Sequence, residues 1–287
     1  MLFGGEAVFF RKVFMYPYKL IFGLTLYDIL ICVGVALCFF SFSYLADKRK
    51  MKAKLQNFAM MCGVAAIGLG FLSAMLFQAL YNIASRGRFE LTTNTGMTFY
   101  GGLIGGAAAF LLIWFVGGAF MFKDGANKSG FFTLASCAVP AIVIAHALGR
   151  LGCLSAGCCH GARTEAWYGL MMHGDAGYAK YVPTQLFEAV FLLIFFALVF
   201  IRAKEGRRYN LPLYMCVYAV WRFVIEFARD DYRGSIPFLN ITPSQFIAIL
   251  MILGSVGVFC LEKYVCDKAE KQNVIVSEVE KSEEADK

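Results

Sequence analysis

Charged side chains are scarce in this chain. Asp, Glu, Lys and Arg make up only 16% of its 287 residues, against roughly 25% in an ordinary soluble domain. Apolar residues take their place: 59% are hydrophobic and 16% aromatic, with 29 phenylalanines, and the mean hydropathy is +0.63. So much apolar surface does not fit inside one soluble core of this length, so it must face lipid. The net charge of +7 comes with no basic patch on a soluble face, which excludes a nucleic-acid partner. A disulfide framework is also missing. Ten cysteines are present, but Cys32, Cys38, Cys62, Cys137, Cys216 and Cys260 lie inside apolar runs and act there as small hydrophobes. No cleavable signal opens the chain. Residues 1–20 scatter Arg11, Lys12 and Lys19 among Phe3, Phe9, Phe10 and Phe14, a pattern that suits a helix lying on the membrane surface. No internal repeat is found, and the apolar runs are continuous rather than alternating, which argues against a transmembrane β-barrel.

Seven apolar windows reach the length of about 20 residues needed to cross a bilayer. They fall near 21–45, 57–82, 97–121, 131–151, 184–203, 211–228 and 242–263. Backbone groups in hydrocarbon must be satisfied within the segment, so these are helices. The expected fold is an all-α polytopic membrane domain over residues 1–263, followed by a disordered, solvated tail over 264–287 that is rich in Glu and Lys. Charge orients it. Lys48, Arg49, Lys50, Lys52 and Lys54 fill the first loop, Lys123 and Lys128 the third, and Arg202, Lys204, Arg207 and Arg208 the fifth. The alternate loops, 83–96, 152–183 and 229–241, are longer and carry fewer basic residues: Arg86, Arg88, Arg163, Lys180, Arg229 and Arg233. By the positive-inside rule the first set is cytoplasmic, which puts the N-terminus outside and the C-terminus inside.

Ionisable groups at membrane depth are costly, and each is a candidate for function. Tyr27-Asp28 lie in the first span, the run from Gly96 through Tyr100, Gly101 and Gly102 to Gly105 opens the third, and His146 with Gly149-Arg150 closes the fourth. The next loop holds Cys153, Gly157, Cys158, Cys159, His160 and Gly161. In the sixth span Tyr218, Arg222, Glu226 and Arg229 recur at helical spacing and share one stripe. With the orientation above, Tyr27, Tyr100, Arg150 and the stripe converge on the outer half of the bilayer. Plainer readings stay open. Tyr27, Arg229 and Arg233 also suit interfacial anchoring, Arg222 and Glu226 a structural ion pair, and the glycines around Tyr100 close helix packing. Guanidinium forks match phosphate oxygens, and apolar walls suit acyl chains. The residues therefore point to a site for an anionic phospholipid headgroup.

These residues carry a family resemblance. Tyr27, the stretch Gly96 to Gly105, Gly149-Arg150-Leu151-Gly152, Pro183-Thr184-Gln185-Leu186-Phe187-Glu188, Tyr218 to Arg229 and Gln245 occur in that order. Together they resemble the bacterial prolipoprotein diacylglyceryl transferases, across most of the membrane region. The resemblance implies a multi-pass plasma-membrane enzyme with its active site toward the outer face. Such an enzyme moves diacylglyceryl from phosphatidylglycerol to the lipobox cysteine of a lipoprotein precursor, releasing glycerol phosphate. It implies no cofactor, and membrane lipids and lipoprotein precursors as partners; the oligomeric state stays open. Arg150 resembles the family's essential arginine after the fourth span, Tyr218 and Arg222 its tyrosine and arginine in the sixth, and Tyr27 its first-span tyrosine. With His160, which the family pattern lacks at that point, the expected catalytic set is Arg150, Arg222, Tyr100, His160, Tyr27 and Tyr218. Arg150, Arg222, Gly101, Gly102, Cys153, Cys158, Glu226 and Arg229 would bind substrate.

The chain departs from the family where protons are handled. Tyr100 stands where the family has a histidine, and Cys153 and Cys158 stand where it has an asparagine and a glutamate. A thiol with an ordinary pKa of about 8.5 needs help to ionise, and Tyr100, His146 and His160 are the candidate acceptors. Two rival readings remain: transfer of the lipid group to another acceptor, and lipid binding or transport without chemistry. Cys153, Cys158, Cys159 and His160 also invite a zinc reading. Their spacing is not a C-x-x-C pair and adjacent cysteines rarely chelate together, so no metal is expected. A disulfide of Cys153 with Cys158 or Cys159, or a free nucleophilic thiol, fits an outer-facing loop better.

Overall fold

The computed structural model describes residues 19–21, 23–86, 98–174, 177–229 and 241–285. The expected surface helix at the N-terminus, and Gly96, Arg88 and Arg233, lie outside the described residues. Among the described residues, seven helices are long and apolar enough to cross a membrane: Leu26–Lys48, Ala53–Ile83, Tyr100–Met121, Phe131–Ala156, Thr184–Lys204, Asn210–Ala228 and Pro243–Lys268. They correspond one to one with the apolar windows, and the protein is a multi-pass α-helical membrane protein.

In chain order, a short antiparallel pair, β1 (Lys19–Ile21) and β2 (Leu24–Thr25), leads into α1 (Leu26–Lys48), then α2 (Ala53–Arg86) and α3 (Phe99–Leu112). A π-helical turn, Ile113–Gly117, follows, and then two four-residue helices, α4 (Gly118–Met121) and α5 (Ala126–Ser129). The remaining elements are α6 (Phe131–Ala156), a hairpin of β3 (Leu170–Gly174) and β4 (Gly177–Tyr181), α7 (Thr184–Lys204), α8 (Asn210–Ile225), a 3₁₀ turn Glu226–Ala228, and α9 (Pro243–Ala285). The chain divides into two compact units: Ser43–Leu134, and Met1–Phe42 together with Ala135–Lys287.

Small residues organise the unit Ser43–Leu134. Lipid tails are as apolar as leucine, so helices in a membrane associate by close packing and hydrogen bonds. Along α2 and α3 the packing partners are Ala66, Gly70, Ser73 and Ala74 against Gly101, Gly102, Gly105 and Gly106. A Cβ on Gly70 would lie 3.1 Å from the Gly102 carbonyl oxygen, and one on Gly101 would lie 2.6 Å from Cβ of Phe77. The Ser73 hydroxyl donates to the Gly101 carbonyl at 2.8 Å. At the far end of α3 the π-helical turn frees a carbonyl. Asn127 Nδ2 donates to the Trp114 carbonyl at 3.0 Å, and Trp114 Nε1 donates to the Asn127 carbonyl at 3.0 Å, both residues being fully buried. Read as one continuous window, the third span is thus interrupted by a turn that docks α5.

The second unit has a conventional apolar core. Val139, Val143 and Ala147 of α6 pack with Leu192, Phe195 and Val199 of α7 and with Tyr218 of α8. Two capping boxes set the starts of its outer helices. Before α1, the Thr25 hydroxyl and amide both donate to Asp28 Oδ2, at 2.7 and 2.9 Å. Before α9, the Thr242 amide donates to Gln245 Oε1 at 3.1 Å while the Gln245 amide donates back to Thr242 Oγ1 at 3.2 Å, with Pro243 at the first helical position. Asp28, singled out as a carboxylate at membrane depth, is therefore a helix cap.

Helix α9 runs on through residues 264–285. Its Glu, Lys and Ala residues are good helix formers, and Arg208 pairs with Glu270 at 2.7 Å beyond the membrane-length portion. Lack of an apolar period removed the packing signal from this stretch without removing its helix propensity. The hairpin β3–β4 is likewise new relative to the expected loop over 152–183. It closes the way back from α6 to α7, pairing Leu170 with Tyr181 and Gly174 with Gly177.

Candidate active site

A single buried carboxylate organises the first half of the site. Glu188, on the first turns of α7, is 2% exposed. Its Oε2 takes an ion pair from Arg150 Nε at 2.9 Å, and its Oε1 accepts a hydrogen bond from the Tyr218 hydroxyl at 2.9 Å. His146 Nε2 stands 3.6 Å from the same oxygen, and its ring meets that of Tyr218 edge-on at 5.1 Å. His146 and Arg150 are one turn apart on α6, so both reach Glu188 from one face. Three helices thus supply a guanidinium, an imidazole, a phenol and the carboxylate that joins them. A carboxylate buried this deep persists because each of its oxygens has partners.

The second half is built on α8 and the start of α9. Arg222 Nη2 pairs with Glu226 Oε2 at 2.8 Å and donates to Ser244 Oγ at 3.0 Å. The Thr242 hydroxyl donates to Glu226 Oε1 at 3.0 Å. Among the described residues, Arg222 Nη1 is buried without a hydrogen-bond partner. An unused donor on a buried guanidinium is costly, and it is a natural place for an anionic oxygen. Tyr218 and His146 lie within the electrostatic reach of both Arg150 and Arg222, so the two halves share one neighbourhood.

Beyond Arg150 the chain makes a thiol-lined turn. The Tyr27 ring packs on Gly152, where a Cβ would lie 3.1 Å from Tyr27 Cδ2. Gly157 and Cys159 both adopt left-handed backbone, φ +67° and +62°, a conformation that favours glycine and is strained for cysteine. The Cys158 amide donates to the Cys153 carbonyl at 3.1 Å. From α7, Thr184 Oγ1 donates to the Cys159 carbonyl at 3.0 Å and Gln185 Nε2 to the Cys158 carbonyl. Hydrogen bonds from Cys153 and Cys158 hold the Cys159 thiol below its ordinary value, with Arg229 and Arg150 adding positive charge nearby. The same contacts push Cys158 up. The His160 ring lies tilted against that of Tyr181, centroids 4.1 Å apart, and its Nδ1 meets the Gly161 carbonyl at 3.0 Å.

The expected site residues therefore fall into two sets. Arg150, Tyr218, Arg222, Glu226, Tyr27, Cys153, Cys158, His160 and Arg229 all belong to the second unit. Tyr100, Gly101 and Gly102 belong to the first, where Gly101 and Gly102 lie against Phe77 and Ala74 of α2. Thr184, Gln185 and Glu188 stand in the motif that carries the family resemblance but received no role in the site from the sequence, and Ser244 was not singled out at all. Glu188 carried a signal, because it is the only acidic residue in the fifth apolar window. Thr184 and Gln185 act through backbone carbonyls of a loop, and composition gives no hint of that.

Comparison with known proteins identifies relatives of the chain. The family model described as prolipoprotein diacylglyceryl transferase matches residues 18–261. The chain is similar to phosphatidylglycerol–prolipoprotein diacylglyceryl transferase 2 of Clostridium perfringens, 34% identical over 174 residues, covering 58% of this chain and 63% of that protein. It is 29% identical over 256 residues to the phosphatidylglycerol–prolipoprotein diacylglyceryl transferase of Clostridium tetani, covering 85% of this chain and 96% of that one. A Francisella tularensis subsp. novicida protein of the same name is 36% identical over 163 residues, 55% of this chain and 57% of its own length.

Proposed function

The chain belongs to the prolipoprotein diacylglyceryl transferase family, and from that premise we propose that it transfers diacylglyceryl from phosphatidylglycerol to the lipobox cysteine of lipoprotein precursors. The observation that carries this reading is the pair of largely buried guanidiniums. Arg150 is held by Glu188 of a neighbouring helix, and Arg222 keeps an unpartnered Nη1. Forked donors set among apolar helices suit a lipid phosphodiester better than a soluble anion.

The reaction is displacement at a glycerol carbon. The precursor's thiolate forms the new S–C bond, the C–O bond to phosphate breaks with its electrons going to oxygen, and glycerol phosphate departs. Arg150 and Arg222 orient the phosphodiester and stabilise the charge that grows on the leaving oxygen. Glu188 and Glu226 fix the two guanidinium planes, so little reorganisation is needed as that charge develops. Tyr218 bonds Glu188 and thereby positions Arg150; Tyr27, on Gly152, forms a wall beside it. Tyr100, Gly101 and Gly102 are assigned to substrate on the strength of the resemblance, and Tyr100, His146 and His160 are the candidate acceptors for the thiol proton. The positive-inside pattern opens this site toward the outer face.

The test is direct. Purified protein is incubated with phosphatidylglycerol vesicles and a lipobox peptide, and both glycerol phosphate release and a diacylglyceryl mass increment on the peptide are followed. Both signals are expected together. Glycerol phosphate without peptide modification would redirect the reading to another acceptor, and neither signal would leave a lipid-binding role in its place.

A further inference from the structure

The sulfur atoms of Cys153, Cys158 and Cys159 all lie within 4.8 Å of one another, and none is in a disulfide. Neighbouring residues such as Cys158 and Cys159 ordinarily send their side chains apart. Here the left-handed backbone at Gly157 and Cys159 turns both toward Cys153. The turn is pinned from outside by Thr184 and Gln185, which hold the carbonyls of Cys159 and Cys158. The three sulfurs therefore converge despite their spacing in the chain. Zinc–sulfur bonds of about 2.3 Å place tetrahedral ligand sulfurs roughly 3.8 Å apart, and the cluster needs only a small contraction to reach that. A disulfide would use two thiols and strand the third, whereas a metal uses all three. Three soft thiolates select d¹⁰ cations, and the charges of Arg150 and Arg229 nearby offset the anionic set.

We propose that Cys153, Cys158 and Cys159 form a three-thiolate site for a soft divalent cation, zinc foremost, whose open fourth position takes the thiol of the acceptor peptide. The first half stands on the thiol geometry alone; the second rests on the diacylglyceryl-transfer reading. A metal ion ionises a coordinated thiol outright at neutral pH. The acceptor's proton passes to water. The bound thiolate's electron pair then forms the S–C bond while the C–O bond to phosphate breaks, and the cation keeps its charge throughout. Arg150 precedes Cys153 by three residues on the same helix, about one turn, so the phosphate holder and the thiolate site are adjacent. Such a site supplies the activation for which this chain has only a phenol, Tyr100, at the position where the family carries an imidazole.

The test uses the full chain in detergent, reduced and stripped of metal, titrated with cobalt(II) and then zinc. One equivalent of cobalt should give a thiolate charge-transfer band that zinc displaces. Cys153→Ser, Cys158→Ser and Cys159→Ser should each weaken cobalt binding at least tenfold, while Cys216→Ser, outside the cluster, leaves it unchanged. Ligation requires loss of thiol protons, so binding should weaken as pH falls. Adding a lipobox peptide should shift the cobalt band, and the same peptide with serine for cysteine should not. Absence of a stoichiometric band in protein whose three thiols react freely would overturn the site, as would a disulfide among the three under non-reducing mass spectrometry. A band that ignores the peptide would overturn the fourth-position role. Undiminished transfer by metal-free protein would do the same while leaving the transferase reading intact. Peptide-sensitive cobalt binding with no lipid turnover at all would instead count against the transferase reading alone.

Discussion

Two helix contacts in this protein are built on opposite principles. Between α2 and α3, Gly70, Gly101, Gly102 and Gly106 let two backbones approach until a single added methyl would collide. Among α6, α7 and α8, Arg150, Glu188, Tyr218 and His146 meet as buried polar side chains. The first contact is held by close packing and tolerates no added volume. The second carries a desolvation cost that paired charges only partly offset, and it resists loss of charge rather than gain of volume. Membrane helices need the first kind to associate; the second kind is the one we propose does chemistry. The largest test of that difference is removal of Arg150. Arg150→Ala should lower diacylglyceryl transfer by at least about 10²–10³-fold, measured as peptide mass increment per unit time. Arg150→Lys should not restore it, because a point charge lacks the fork. Near-normal transfer by either variant would reduce the polar cluster to a structural one.

Glu188 separates charge from shape. Glu188→Ala strands Arg150 and should cost about 3–5 kcal/mol, seen as a large fall in thermal stability in detergent. Glu188→Gln keeps an acceptor for Tyr218 and should fold, yet lose transfer roughly tenfold or more as Arg150 loses its fixed orientation. If Gln proves as active as Glu, the carboxylate is not what orients the guanidinium. On the glycine side, Gly101→Ala should cost about 1–3 kcal/mol by overpacking against Phe77. Gly68→Ala, which meets nothing within 4 Å, should be neutral or slightly stabilising. Equal melting points for the two would erase the contrast drawn here. Among the polar-cluster variants the mildest effect is expected for Tyr218→Phe. It removes one hydrogen bond to a charged group, about 1.5–3 kcal/mol at most, and should slow transfer while leaving lipid binding near normal.

Much of this was legible in the residues. Continuous apolar runs of membrane length fix seven helices with little ambiguity, because hydrocarbon leaves no other way to satisfy a backbone. Helical spacing put Tyr218, Arg222 and Glu226 on one stripe, and the structure pairs Arg222 with Glu226 as that spacing requires. Glu188 was harder to read. A lone carboxylate in an apolar helix announces a partner but not which one, and Arg150 lies on a helix 38 positions earlier in the chain. Asp28 misled in the other direction: its partner is three residues away, in a cap. The thiol turn depends on one left-handed cysteine, for which residue type provides no signal. The break at Ile113–Gly117 was hidden because a π-turn keeps the apolar composition of the helix around it.

The central claim is that Arg150 and Arg222 together hold one lipid phosphodiester. It is tested most directly by counting phosphatidylglycerol bound to delipidated protein by native mass spectrometry, for wild type, Arg150→Ala, Arg222→Ala and the double variant. Wild type should retain one tightly held lipid, each single variant should weaken it at least tenfold, and the double variant should hold none. Equal retention by the double variant would contradict the assignment of both guanidiniums to the phosphate.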